Sequence, residues 1–187
     1  LASIETQTKI KLISNALILC GEKPLNSLAD NRYGATVGAN LFEQIYEAEL
    51  QSNRWRFACA KKSLSLLVAT PLNEWQYAFQ LPPTMLLPLG VYPSKPYEIY
   101  ADRIYTNATE IDLEYMFKPD VSACPAYFTL LITYALAKDM IKPITESDNA
   151  VVAMTAKYNT QRARAQFADA QGRPNKPIAD SPFTAVR

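Results

Sequence analysis

Six prolines (Pro71, Pro82, Pro83, Pro88, Pro93 and Pro96) crowd the stretch from residue 58 to 118 and divide the chain into unlike parts. Proline fixes φ and lacks the amide proton that a helix interior or an inner strand requires, so this stretch can hold only short strands and turns. On either side the apolar period is helical. Ile10, Ile13, Leu17 and Cys20 repeat at three and four, which predicts a helix over Ser3–Cys20 with Ser3 as N-cap, Gly21 as a left-handed C-cap and Pro24 beyond it. Residues 22–32 are polar and read as a loop. Val37, Leu41, Ile45, Ala48, Ser52 and Trp55 make the stripe of a second helix over Tyr33–Arg54, leaving Glu43, Glu47 and Glu49 on its wet side or at a contact between subunits.

Within the proline-rich stretch, Lys61–Val68, Glu74–Leu81 and Leu86–Tyr92 are strand candidates. Tyr97–Tyr100 and Arg103–Thr106 flank Ala101-Asp102 as a tight hairpin. Glu110, Asp112 and Glu114 alternate with Ile111, Leu113, Tyr115 and Phe117, so the last strand presents one acidic, wet face and one buried face. A small antiparallel unit of about five strands is expected. The helical period returns at Ala126–Ile141, apolar nearly all round, with Pro125 in its first turn and Pro143 as its stop. That segment is too short and too rich in Thr and Tyr for a membrane span. Thr145-Glu146-Ser147-Asp148 resembles a capping box, and it opens an alanine-rich helix that runs to about Ala170.

The fold expected is therefore α+β, mainly α: a four-helix bundle interrupted by a small antiparallel β insertion, with an extended C-terminal tail. Residues 1–57 and 119–171 form the bundle, 58–118 the insertion and 172–187 the tail. Residues 157–187 carry six basic against two acidic side chains, whereas the insertion carries five against six.

Composition limits the chemistry. The 187 residues include no histidine, which removes Ser-His-Asp and Cys-His catalysis and imidazole metal sites. A net charge of +1 argues against a dedicated duplex binder. The five glycines form no phosphate-cradling motif. Cys20, Cys59 and Cys124 are spaced as buried free thiols rather than as a disulfide framework. The opening residues lack a basic segment before an apolar run, so no secretory leader is expected there. Glu110, Asp112 and Glu114 are the only carboxylate cluster, best read as a solvated strand face. No cofactor, metal or enzymatic activity is expected. Trp55-Arg56-Phe57 serves either as an interface anchor or as a hydrophobic hinge between helix and insertion.

The order of these features resembles the tail tubular protein A family of short-tailed phages. The likeness runs through Cys20-Gly21-Glu22-Lys23-Pro24-Leu25, Ser27-Leu28, Trp55-Arg56-Phe57, Trp75 to Phe79-Gln80-Leu81-Pro82, Tyr97 to Arg103-Ile104-Tyr105-Thr106-Asn107, Tyr115, two alanine-rich helices and a tail ending in Arg187. Pro82-Pro83-Thr84 departs from it, because an acidic residue is expected after Leu-Pro. The resemblance implies a structural virion protein of the tail, assembled in the host cytoplasm: a ring, expected to hold twelve copies, that joins the portal to a nozzle similar to tail tubular protein B. Tail fibres or tailspikes are further partners. Genomic duplex DNA passes through the lumen without tight binding, and no membrane is involved. The interface candidates are Trp55, Arg56, Phe57, Arg162, Arg164, Arg173, Lys176, Phe183 and Arg187. The competing readings are a head-completion protein of a long-tailed phage, a tail-associated peptidoglycan hydrolase using Glu110 and Glu114, and a nucleic-acid binder.

Overall fold

A computed structural model describes residues 4–25, 27, 29–68, 71 and 74–172. Ser3, Leu28 and the 173–187 part of the expected tail, with Arg173, Lys176, Phe183 and Arg187, lie outside the described residues.

Among the described residues four helices carry one core: α1 (Ile4–Leu19), α2 (Tyr33–Gln51), α3 (Ala126–Thr145) and α4 (Asp148–Gln171). Gly21 takes φ 85° after α1, as its C-cap position predicts. The loop behind it is tied down locally. Ser14 donates its hydroxyl to the Leu25 carbonyl (3.1 Å) and accepts from the Leu25 amide (2.9 Å), while Arg32 clamps Asp30 and the Lys23 and Pro24 carbonyls. Gly34 and Gly38 allow α2 to approach closely: a Cβ on Gly38 would lie 2.7 Å from Ile13 Cγ2 and 3.0 Å from Met140 Cε. Two helix boundaries differ from expectation. Pro143 sits inside the last turn of α3, where a single backbone bond is lost, and the helix ends later at Glu146, held in the left-handed region with φ 54°. Ser147, rather than Thr145, caps α4 by accepting from the Ala150 amide.

The helices are not a four-helix bundle with an appendage, and that expectation is corrected. α3 is the hub, packed on α1, α2 and α4, whereas the extensive packing of α4 falls on α3. Residues 58–118 form two antiparallel three-stranded sheets instead of one five-stranded unit. The first has the order β1–β6–β3, from β1 (Cys59–Ser63), β6 (Asp112–Phe117) and β3 (Met85–Tyr92). The second has the order β2–β5–β4, from β2 (Tyr77–Gln80), β5 (Arg103–Thr106) and β4 (Tyr97–Tyr100). Pro88 is accommodated because β3 is an edge strand with register shifts around it. The chain passes between the sheets at residues 64–67, where Leu64 donates to Ile111 of the first sheet's approach and Leu67 to Ala78 of β2.

The physical reason for the difference lies in the first sheet, which meets apolar neighbours on both faces. Met116, with Cys59, Leu86 and Leu89, packs into the helical core around Leu17, Leu50, Phe128, Leu131 and Leu136. Leu113 and Tyr115 point the other way, into a second core with Phe79, Leu81, Val91, Ile104 and Ile111. The result is three layers: helices, first sheet, second sheet. Among the described residues no helix is long and apolar enough to cross a membrane.

Candidate interaction surface

The hinge between α2 and the first sheet converges on the far end of α4. Trp55 is wholly buried, with its indole Nε1 donating to the Glu49 carbonyl at 2.8 Å. Its ring meets Phe128 edge-on at 5.1 Å and lies near Phe57 and Tyr127. Of the expected Trp-Arg-Phe anchor, Arg56 alone is exposed and Phe57 is half-buried, so Trp55 acts through packing.

Asp169 of α4 is only 4% exposed and fastens this hinge. Its carboxylate accepts the Arg56 amide, at 3.2 Å to each oxygen, and the Tyr127 hydroxyl at 2.8 Å. Burial and the adjacent carboxylate push the Tyr127 phenol well above its ordinary range. The Arg56 guanidinium lies over Gly172, and a Cβ there would displace this exposed, flexible side chain.

A second buried carboxylate ties α4 to α2. Glu49, expected on the wet side of its helix, is 8% exposed and accepts the Tyr158 hydroxyl at 2.6 Å. Burial, with Glu49 beside it, pushes the Tyr158 phenol up to about 12. Arg162 lies on this side of α4, half-buried, and its Nε has no hydrogen-bond partner among the described residues. Glu43 and Glu47 also differ from the expected free wet face. Lys9 of α1 bonds Glu43 at 2.7 Å, and Lys118 reaches Glu43 at 2.9 Å and Glu47 at 2.7 Å. These partly exposed pairs add little stability individually, but they align α1, α2 and the end of β6.

The outward face of α4 is different in kind. Val152 and Phe167 are 70% and 67% exposed, and Ala153, Ala156, Ala163 and Ala170 are exposed around them. Arg164 is exposed on the same helix, one edge nearer α3.

The carboxylate cluster of the last strand does not act as a unit. Glu114 is held by Arg54 and by Lys61 (3.4 Å), whereas Glu110 and Asp112 border a concavity of about 300 Å³ with Ser63, Tyr92 and Pro93. The three cysteines are free thiols. Burial pushes Cys20 up to about 11, with Glu22 adding to the shift, and raises Cys59 and Cys124. At pH 8 the Cys20 thiolate fraction is then on the order of one in a thousand, so alkylation should be slow. Iodoacetamide mass shifts should show Cys20 unmodified in the native protein and all three cysteines labelled in urea. Rapid native labelling of Cys20 would contradict its buried setting.

Glu49, Asp169, Tyr127 and Tyr158 were not visible as a group in the sequence, because each sits at an ordinary helical position 42 to 113 residues from its partner. The only available signal was that Tyr158, Gln161, Ala165 and Asp169 share one face of an alanine-rich helix. Among the described residues no group of three metal-ligating side chains occurs. Neither a family model nor a curated protein matches the chain.

Proposed function

We propose that the chain is a structural building block of a phage virion: a ring-forming adaptor that joins the portal to the tail nozzle and leaves a lumen for the genome. The observation that carries the reading is the outward face of α4. Val152 and Phe167 stand in water beside exposed alanines, and small side chains permit another helix to come close. Such a face lacks the convergent polar groups of a substrate cleft and suits burial against a second copy. A contact between unlike faces closes into a ring when the rotation per subunit divides the circle. The order of motifs from Cys20-Gly21 through Trp55-Arg56-Phe57 to the alanine-rich α4 supports the same class.

Three results test it. Native mass spectrometry of the protein, alone and with its portal, should yield a closed multimer. Phe167→Glu places a charge in the buried centre of the contact and should weaken assembly at least about a hundredfold while leaving the thermal melt of the subunit unchanged. Removing residues 173–187 should abolish portal binding with the subunit still folded. Assembly of Phe167→Glu at parental concentrations, or hydrolysis of peptidoglycan in a zymogram, would remove the reading.

A further inference from the structure

On the edge of α4 that faces α3, Tyr134, Ala156, Lys157, Thr160, Gln161 and Arg164 line a concavity of about 260 Å³. The two charged groups in its lining, Lys157 and Arg164, are both cationic and donate only. Lys157 and Arg164 stand two turns apart on one edge of the helix, and neither forms an ion pair among the described residues. Among the described residues no carboxylate lines the space, and the nearest acid of α3 in sequence, Asp139, is paired with Lys138 at 3.2 Å. Thr160 spends its hydroxyl on the Ala156 carbonyl.

Gln161 supplies the independent observation. It is only 8% exposed, yet its amide makes no hydrogen bond among the described residues. A side-chain amide sealed from water would be a costly orphan, and among the described residues only Arg162 Nε is both sealed and unpartnered. The amide of Gln161 therefore opens into the concavity that it lines. The Tyr134 hydroxyl likewise makes no hydrogen bond among the described residues and borders the same space.

The geometry points to a phosphate-binding site here. Arg164 offers a planar fork and Lys157 a compact point charge, the two cationic modes by which phosphate oxygens are held. The Gln161 NH₂ adds a neutral donor from the same helix, and the Tyr134 hydroxyl adds one from α3. The concavity is open to solvent and shallow, which fits a phosphate carried on a larger chain or a small free anion. The site belongs to the single subunit, so its presence or absence leaves the ring reading untouched.

The test is an NMR titration of the isotope-labelled full chain at low ionic strength, with inorganic phosphate, sodium acetate and a short duplex oligonucleotide as separate probes. Phosphate should move the Gln161 side-chain NH₂ and the Arg164 Nε–H signals along a saturating curve. The double variant Lys157→Ala, Arg164→Ala should weaken that curve by about tenfold or more. Both residues are exposed, so the fold should survive; Gln161→Leu, which keeps the burial and removes the amide, gives a second reading. Movement of the same signals by the oligonucleotide identifies a phosphodiester source, and movement by phosphate alone a small anion. Either outcome supports the site. Equal shifts with acetate, shifts unchanged in the double variant, or no shift with either phosphate probe would overturn it.

Discussion

Replacing Trp55 with alanine is expected to cost about 3–5 kcal/mol of folding stability, at the upper end of what one substitution does. The indole is wholly buried and touches Phe57, Tyr127 and Phe128, which come from the hinge and from the start of α3. The surroundings cannot close over the space, because Phe128 is itself fixed edge-on to Tyr46 and packed against Phe57. The hydrogen bond is a minor part of the loss. The Glu49 carbonyl that accepts Nε1 also accepts the Ser52 hydroxyl at 2.9 Å, so it is not left unpaired. Urea unfolding should show the midpoint falling with little change in slope, whereas Phe167→Ala on the outer face should fall within about 0.5 kcal/mol of the parent. A Trp55→Ala loss below about 1.5 kcal/mol would mean that the hinge is not a packing centre.

Asp169→Ala should cost about 2–4 kcal/mol, through a different mechanism. Removing the carboxylate strands the Arg56 amide and the Tyr127 hydroxyl, both part-buried, and a donor left without an acceptor costs up to roughly 1–3 kcal/mol. Asp169→Asn keeps one acceptor oxygen and should lose about half as much. Hydrogen exchange at the Arg56 amide distinguishes the mechanisms. It should accelerate in the alanine variant more than the exchange of α3 core amides such as that of Leu136, since the end of α4 opens first. Uniform acceleration across the chain would show that Asp169 contributes only to global stability and does not fasten the hinge.

The elements were largely legible and their assembly was not. The hairpin strands Tyr97–Tyr100 and Arg103–Thr106 occur at the residues read from the pattern, around Ala101 at φ 53°. The long helices also follow from period and punctuation. The α2 stripe, however, was legible only in part. Ile45 and Trp55 are buried and Val37 and Leu41 pack half-buried on the core, but Ala48 and Ser52 are exposed, and the buried set of the helix also holds Gly34, Ala35, Gly38, Phe42, Tyr46, Glu49 and Leu50. Counting by hydrophobicity places a glutamate in water, and only a tyrosine from a helix 109 residues away makes its burial tolerable. Glu114 misled in a related way. Alternation placed it on a wet face, but that face of β6 turns inward two residues later at Met116. A period of two states which side chains share a face; it does not say that both faces will meet apolar neighbours. Of the interface candidates, Arg56 and Arg164 are exposed, Phe57 and Arg162 are half-buried, and Trp55 belongs to the interior.

Because β6 contributes Met116 to one apolar reservoir and Leu113 and Tyr115 to the other, it is a party wall between them. Neither side can be dismantled without baring the other, so mechanical pull on the outer sheet would be transmitted through that strand to the helices instead of peeling the sheet away.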